Sequence, residues 1–170
     1  GVGWRTLPGT EHWSAAYFTR GTGHNEKAEY SERSEDWVNN LRRLEMKFDT
    51  ARSVVPQPVI DVRGGASVGI ISFGTNDAAV KEAQDLLHAQ GIEASYLRVR
   101  ALPLQQSVHD FIQAHSHIYV VENNFEGQLA SILRMDYPDV ATRLSNLAKC
   151  DGLPLTARWI AESIVRGERS

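Results

Sequence analysis

The spacing of apolar and polar residues along this chain changes repeatedly, and each change predicts a different element. Residues 1–30 carry no repeat, and glycines at 1, 3, 9, 21 and 23 break up every run, so an extended or looped arm is expected. From Ser34 the pattern becomes helical, with Trp37, Leu41, Leu44 and Phe48 at intervals of four, three and four. Ser34 is placed to cap that helix, Glu35 and Asp36 suit its first turn, and Pro56 and Pro58, which lack amide donors, end it. Its other face carries Arg42, Arg43, Lys47 and Arg52, a solvated or interface surface.

Beyond residue 58 strand and helix signals alternate. Residues 59–62 form a short β-rich run, Arg63-Gly64-Gly65 a turn, and residues 68–73 an apolar stretch of the kind found in strands covered on both faces. Residues 74–77 open a helix through Val80, Ala83, Leu86 and Leu87 that stops at Gly91. A strand at 94–99, a helix at 107–114, a strand at 118–121 and a helix at 126–135 follow. Successive βα units predict parallel strands joined by right-handed crossovers. Past Pro138 the expectation is a helical run at 140–147, a short strand at 147–150, a turn at Asp151-Gly152-Leu153-Pro154 and a last helix at 156–165. The predicted fold class is α/β: a three-layer α/β/α domain over residues 59–170 with about five mostly parallel strands, preceded by an N-terminal arm and helix over residues 1–58.

Composition narrows the functional classes. The chain has 170 residues, 42% of them hydrophobic, enough for one real core but crowded for two. A net charge of −3 and a pI near 6.1 provide no basic field for a phosphate backbone, which argues against nucleic acid. No apolar run approaches the roughly 20 residues of a membrane helix, no signal peptide is recognisable, and the expected location is the cytoplasm. The only cysteine, Cys150, rules out an internal disulfide, a multi-thiolate zinc site or a cysteine-held iron–sulfur cluster within these residues. The opening Gly1-Val2-Gly3-Trp4, without an initiating Met, reads as a fragment or as the processed end of a longer polypeptide.

Candidate chemistry concentrates in loops. In a parallel sheet it is expected at the carboxyl ends of the strands, here residues 74–77, 100–103 and 122–128. The first lacks the further glycines of a dinucleotide turn and the lysine of a P-loop, so capping by Thr75 or Asp77 is expected there. Glu122, Asn123, Asn124 and Gln128 cluster at a strand exit, placed to satisfy backbone groups, to hold a subunit boundary or to line a site. In the arm, His24 beside Asn25 and Glu26 offers acid–base or ligand chemistry, against the plainer role of a locally bonded loop histidine. Arg98 and Arg100 flank a strand exit, where internal salt bridges are the plainer role and attraction of anions the alternative. His88, His109, His115 and His117 have no ligand spacing, so no metal is assigned, and no Gly-x-Ser-x-Gly elbow is present. These residues offer no complete active site.

Taken in order, a set of segments carries a resemblance. They are Phe18-Thr19-Arg20-Gly21-Thr22-Gly23-His24-Asn25-Glu26, Tyr30-Ser31-Glu32, Arg42-Arg43-Leu44 with Lys47-Phe48-Asp49-Thr50-Ala51, Gly69-Ile70-Ile71-Ser72-Phe73-Gly74, Tyr96-Leu97-Arg98-Val99-Arg100-Ala101-Leu102-Pro103, Val121-Glu122-Asn123-Asn124 with Gly127-Gln128, and Asp151-Gly152-Leu153-Pro154. Together they resemble the carboxyl-terminal part of the α subunit of 2-oxoacid:ferredoxin oxidoreductases, most closely the 2-oxoglutarate branch. The resemblance implies a transketolase C-terminal-like domain, in agreement with the strand–helix order. It also implies a thiamine-diphosphate enzyme that oxidatively decarboxylates a 2-oxoacid, joins the acyl group to coenzyme A and passes electrons to ferredoxin.

The departures from that family are equally specific. No Gly-Asp-Gly followed by Asn-Asn at the required distance is present, and neither is a Tyr-Pro-x-Thr-Pro substrate loop. Thiamine diphosphate, Mg and the iron–sulfur cluster are therefore expected on other domains or subunits, with no cofactor bound by this chain alone. The implied partners are the upstream part of the α subunit, the β subunit and, through the complex, ferredoxin and coenzyme A. Arg20, His24, Asn25, Glu26, Glu122, Asn123, Asn124 and Gln128 become candidates for an interface or the active-site mouth. A stand-alone flavodoxin-like binding or scaffold module is the competing expectation, since a parallel sheet alone permits it.

Overall fold

A computed structural model of the chain describes residues 6–13, 15, 23–25, 27 and 29–169. It divides into two compact units, Gly1–Val55 and Pro56–Ser170.

In the first unit the described part of the arm contains no helix. A bridge between His24 and Tyr30, with Ser31 N–H donating to Gly23 O at 3.2 Å and Asn25 N–H to Glu29 O at 2.9 Å, closes a small loop. Helix α1, Ser34–Val54, follows as its spacing predicts. Its start differs from expectation: Arg33 is the N-cap, and Ser34 already lies in the first turn. Ser31 makes the local ties instead, accepting from Arg33 N–H at 3.2 Å and donating to Asp36 Oδ2 at 2.6 Å. The helix ends at Val55, extended ahead of Pro56 because a residue before proline is pushed out of the helical region. No α1 residue is buried; Trp37 and Phe48, on the predicted apolar face, are 47% and 58% exposed.

The second unit is built on a five-stranded sheet in the order β1-β3-β2-β4-β5. The strands are β1 Val59–Asp61, β2 Val68–Phe73, β3 Ala94–Val99, β4 His117–Glu122 and β5 Leu144–Ala148. All pairs are parallel except β1 with β3. Helices α2 Asp77–His88, α3 Gln106–Ala114, α4 Gln128–Asp136 and α5 Ala157–Glu168 connect and cover them. Gly91, at φ +78°, turns the chain after α2 where an L side chain would be strained.

Alternation along each strand sorts the core into two layers. Val68, Ile70, Ala94, Tyr96, Tyr119 and Val121 face α2 and α5. Ile71, Leu97, Val99, Ile118, Val120 and Leu144 face α3 and α4. Central β2 is buried from Val68 to Ser72, as its unbroken apolar run predicts. The chain moves one way from β2 to β3 and the other way from β3 through β4 to β5. That reversal opens a crevice beyond the carboxyl ends of the central strands.

The structure corrects the reading past Pro138. Pro138–Arg143 is a 3-10 turn and β5 runs Leu144–Ala148, where a helix and then a later strand were expected. Leu144 packs inside while Thr142 is exposed and Ala141 and Arg143 are half-buried, so the apparent helical spacing reflects a turn followed by an alternating edge strand. Arg143 Nη1 donates to Gln113 O and His115 O at 2.8 Å each, satisfying carbonyls at the end of α3.

Gly69 sits where β2 meets α3 and β4: an added Cβ would lie 2.5 Å from Ile118 Cδ1 and 2.9 Å from Phe111 Cε1. Gly69→Ala is therefore expected to cost about 1–3 kcal/mol by overpacking, read as a lower urea midpoint. A second expectation concerns the surface clasp between α3 and the 3-10 turn, His109 Nε2 to Asp139 Oδ2 at 2.8 Å. The Asp139 carboxylate raises the His109 pKa, and His109 lowers that of Asp139. The His109 contribution is present below its ordinary value of 6.5 and fades as pH rises through its raised value. The Asp139 contribution is present above 3.8 and fades as pH falls through its lowered value. Asp139→Asn should thus lower the melting temperature slightly between those two values and have no effect at alkaline pH.

Candidate functional site

The carboxyl edge of the sheet is organised by the junction between β4 and α4. Glu122, the last residue of β4, is fully buried. Its Oε2 accepts from Leu129 N–H at 2.7 Å and Asn124 Nδ2 at 2.6 Å, and its Oε1 accepts from Ala130 N–H at 3.0 Å. The carboxylate therefore caps α4 from the preceding strand, where negative charge meets the positive end of the helix. A buried carboxylate is costly unless matched by donors, and these three match it.

Neighbouring residues hold that arrangement. Asn124 Oδ1 accepts from Gly127 N–H at 2.8 Å and Gln128 N–H at 3.4 Å. Gly127 has φ +71°, and a Cβ there would collide with the Asn146 side chain. Asn123 turns away, its Nδ2 donating to Leu153 O at 3.4 Å. Of the candidates at this edge, Glu122, Asn124 and the backbone of Gln128 thus form one network and Asn123 stands outside it.

The loops after β2, β3 and β4 converge around a cleft of about 380 Å³, whose lining includes Phe73, Arg100, Leu102, Asn124, Gln128 and Ile132. Phe73 and Leu102 are 40% and 52% exposed, giving the opening apolar walls. Sequence reasoning named these three loops but missed Phe73 and Ile132, which precede or follow the loop segments. Beside the cleft, the 3-10 turn Gly74–Asn76 leads into α2 without a side-chain cap. Thr75 and Asp77 therefore do not make the capping bonds expected of them. Asp77 instead bonds Lys81 at 2.9 Å and faces Arg98 at 3.7 Å; the Lys81 ammonium, with a smaller contribution from Arg98, holds its pKa down. Arg98 is thereby used in an internal salt bridge, whereas Arg100 lines the cleft.

In the first unit His24 Nδ1 lies 2.8 Å from Asn25 O, and the His24 carbonyl accepts from Asn40 Nδ2 at 2.7 Å. Asn25 Oδ1 accepts from Lys27 and Glu29 N–H at 2.9 and 3.0 Å, a local turn. Arg20 and Glu26 lie outside the described residues.

The described residues do not fit the diphosphate-and-metal chemistry that the resemblance implies for the whole enzyme. Among the described residues no group of three His, Cys, Asp or Glu could hold a metal ion. The α4 amides best placed for an anion are already bonded to Glu122. Among the described residues no helix is long and apolar enough to cross a membrane.

No protein-family profile matches the chain. It is 30% identical over 164 residues to subunit alpha of 2-oxoacid:ferredoxin oxidoreductase 2 from Aeropyrum pernix, a match covering 90% of this chain and 24% of that protein. The chain thus spans about a quarter of the length of that curated relative. Its structure is similar to that of 2-oxoglutarate:ferredoxin oxidoreductase from Magnetococcus marinus, solved with 2-oxoglutarate, coenzyme A and succinyl-CoA bound. There the TM-score is 0.73 at 25% identity, covering 95% of this chain and 28% of that one. An inactive β4 tetramer of a split-gene transketolase shares the fold at TM-score 0.55 and 20% identity, over 65% of this chain and 40% of that one. The resemblance carried by the ordered motifs, and the transketolase C-terminal-like fold it implied, are both found.

Removing the central carboxylate tests the site's architecture. Glu122→Ala strips the acceptor from two amides and the Asn124 side chain and should destabilise the protein by about 2–4 kcal/mol. Glu122→Gln keeps an acceptor oxygen and should cost less. Chemical denaturation of the three proteins reads the order, and equal midpoints would contradict the capping role.

Proposed function

We propose that this chain is part of the α subunit of a thiamine-diphosphate-dependent 2-oxoacid:ferredoxin oxidoreductase, with 2-oxoglutarate as substrate. The complete enzyme would decarboxylate the oxoacid oxidatively, join the acyl group to coenzyme A and pass the electrons to ferredoxin in the cytoplasm. The observation that carries this reading is the 30% identity to the Aeropyrum α subunit over 90% of the chain. The bound 2-oxoglutarate and coenzyme A of the Magnetococcus enzyme support the choice of substrates.

Within that enzyme the segment serves assembly and shapes access to the active site. Thiamine diphosphate, Mg and the iron–sulfur cluster reside on other domains or the β subunit. The self-satisfied network at Glu122 and Asn124 supports this division, because groups bonded to one another are not presented to a substrate. Arg20, His24, Asn25 and Glu26 in one unit, and Asn123 and Gln128 in the other, are the contact residues of this proposal.

Capture of the native polypeptide with an antibody against this chain tests the reading. The eluate should reduce a viologen dye dependent on 2-oxoglutarate and coenzyme A, and should contain a β subunit. A lone, inactive 170-residue protein would instead favour a separate binding or scaffold module. The purified chain alone is expected to fold without turning over substrate, and dye reduction by it would refute the assignment of the cofactors to other parts. In the complete enzyme, replacing His24 and Glu26 together by Ala should lower turnover or loosen assembly; full activity in an intact complex would remove them from the proposal.

A further inference from the structure

At the amino-terminal end of the sheet, remote from the crevice, three side chains from different elements meet. His117 opens β4, Ser145 lies on the edge strand β5, and Glu168 ends α5. His117 Nδ1 is 2.7 Å from Glu168 Oε1, and His117 Nε2 is 2.7 Å from Ser145 Oγ. An ionised carboxylate only accepts, so the network assigns the imidazole proton to Nδ1 and leaves Nε2 to accept from the serine hydroxyl. That order, hydroxyl to imidazole to carboxylate, is how a serine nucleophile is activated on unrelated folds.

The surroundings hold the relay in place. Tyr119 OH donates to the same Glu168 oxygen at 2.8 Å, and the Tyr119 ring lies against that of His117 at 4.4 Å between centroids. Gly167 makes this possible, because a Cβ there would collide with Tyr119 OH. The His117 and Glu168 side chains are 34% and 26% exposed, and Ser145 is half-buried, so the relay is ordered yet reachable. The Lys149 N–H to Glu122 O bond extends the β4–β5 ladder and fixes its phase. Odd-numbered amides of β5 face β4, and the Asn146 amide, next after Ser145, points to the open edge as a donor for a developing oxyanion.

We propose that Ser145 and His117 are the nucleophile and general base of a hydrolytic site for small activated carboxylic esters, with Glu168 as the positioning residue. Ser145 Oγ bonds to the ester carbonyl carbon as its proton passes to His117 Nε2. The carbon–oxygen bond to the leaving alcohol breaks, and Nε2 returns the proton to that alcohol. Water then attacks the acyl-serine, giving its proton to Nε2, and the carboxylic acid leaves as Ser145 Oγ is reprotonated. No oxidant or cofactor enters the balance.

The test uses the full chain with p-nitrophenyl acetate and, separately, a fluorophosphonate probe. Peptide mapping should find the phosphonyl group on Ser145, and p-nitrophenolate release should exceed buffer. Ser145→Ala and His117→Ala should each lower release by roughly 100-fold while keeping the native circular dichroism. Glu168→Gln should reduce kcat with KM unchanged. Ser145→Cys guards against a folding artefact: the introduced thiol beside His117 should react with iodoacetamide faster than Cys150. Absence of label from Ser145, undiminished release by Ser145→Ala, or an introduced thiol no faster than Cys150 would each overturn the proposal.

Discussion

A carboxylate sealed from water has to be surrounded by donors, and Glu122 meets that requirement at the junction on which the carboxyl edge of the sheet depends. Its side chain takes two amides of α4 and the Asn124 amide, and its carbonyl takes the Lys149 N–H. One residue thereby joins β4 to the start of α4 and to the end of β5. Gly127 belongs to the same constraint, since only a residue without a Cβ both adopts φ +71° and passes the Asn146 side chain.

This arrangement sets the character of the crevice. Strand order places an opening beyond the central strands, where helix N-termini in such folds commonly meet anions. Here the first amides of α4 are bonded to Glu122 and Asn124, which leaves apolar walls at Phe73, Leu102 and Ile132 with Arg100 at the side. An internal carboxylate thus occupies the position an anionic ligand would take. The opposite end of the sheet differs in kind, because the polar groups of His117, Ser145 and Glu168 are only partly covered.

Helix α1 shows another balance. Its apolar positions follow helical spacing, yet none is buried among the described residues. Over its 21 residues the backbone groups pair within the helix, and Glu35 and Asp36 suit its first turn. Burial of its apolar stripe is a separate matter that helical spacing alone does not decide.

The sequence by itself determined the βα order through α4, the doubly covered β2, helix α1 and the resemblance to 2-oxoacid:ferredoxin oxidoreductase α subunits. Each of these follows from local spacing, from glycine and proline, or from motifs read in order. It placed Glu122, Asn124 and Gln128 near a strand exit without showing that a carboxylate caps a helix seven residues on. It also set His117 aside, because no metal spacing or nucleophile elbow surrounds it. Only the tertiary structure decided these points: Glu168 lies 51 residues from His117 and Ser145 lies 28 away. Hydrogen bonds of that range depend on parallel register and on which face of the sheet a helix covers. The edge strand β5 was misplaced for a related reason, since a 3-10 turn ahead of an alternating strand mimics helical spacing until the partner strand fixes its register.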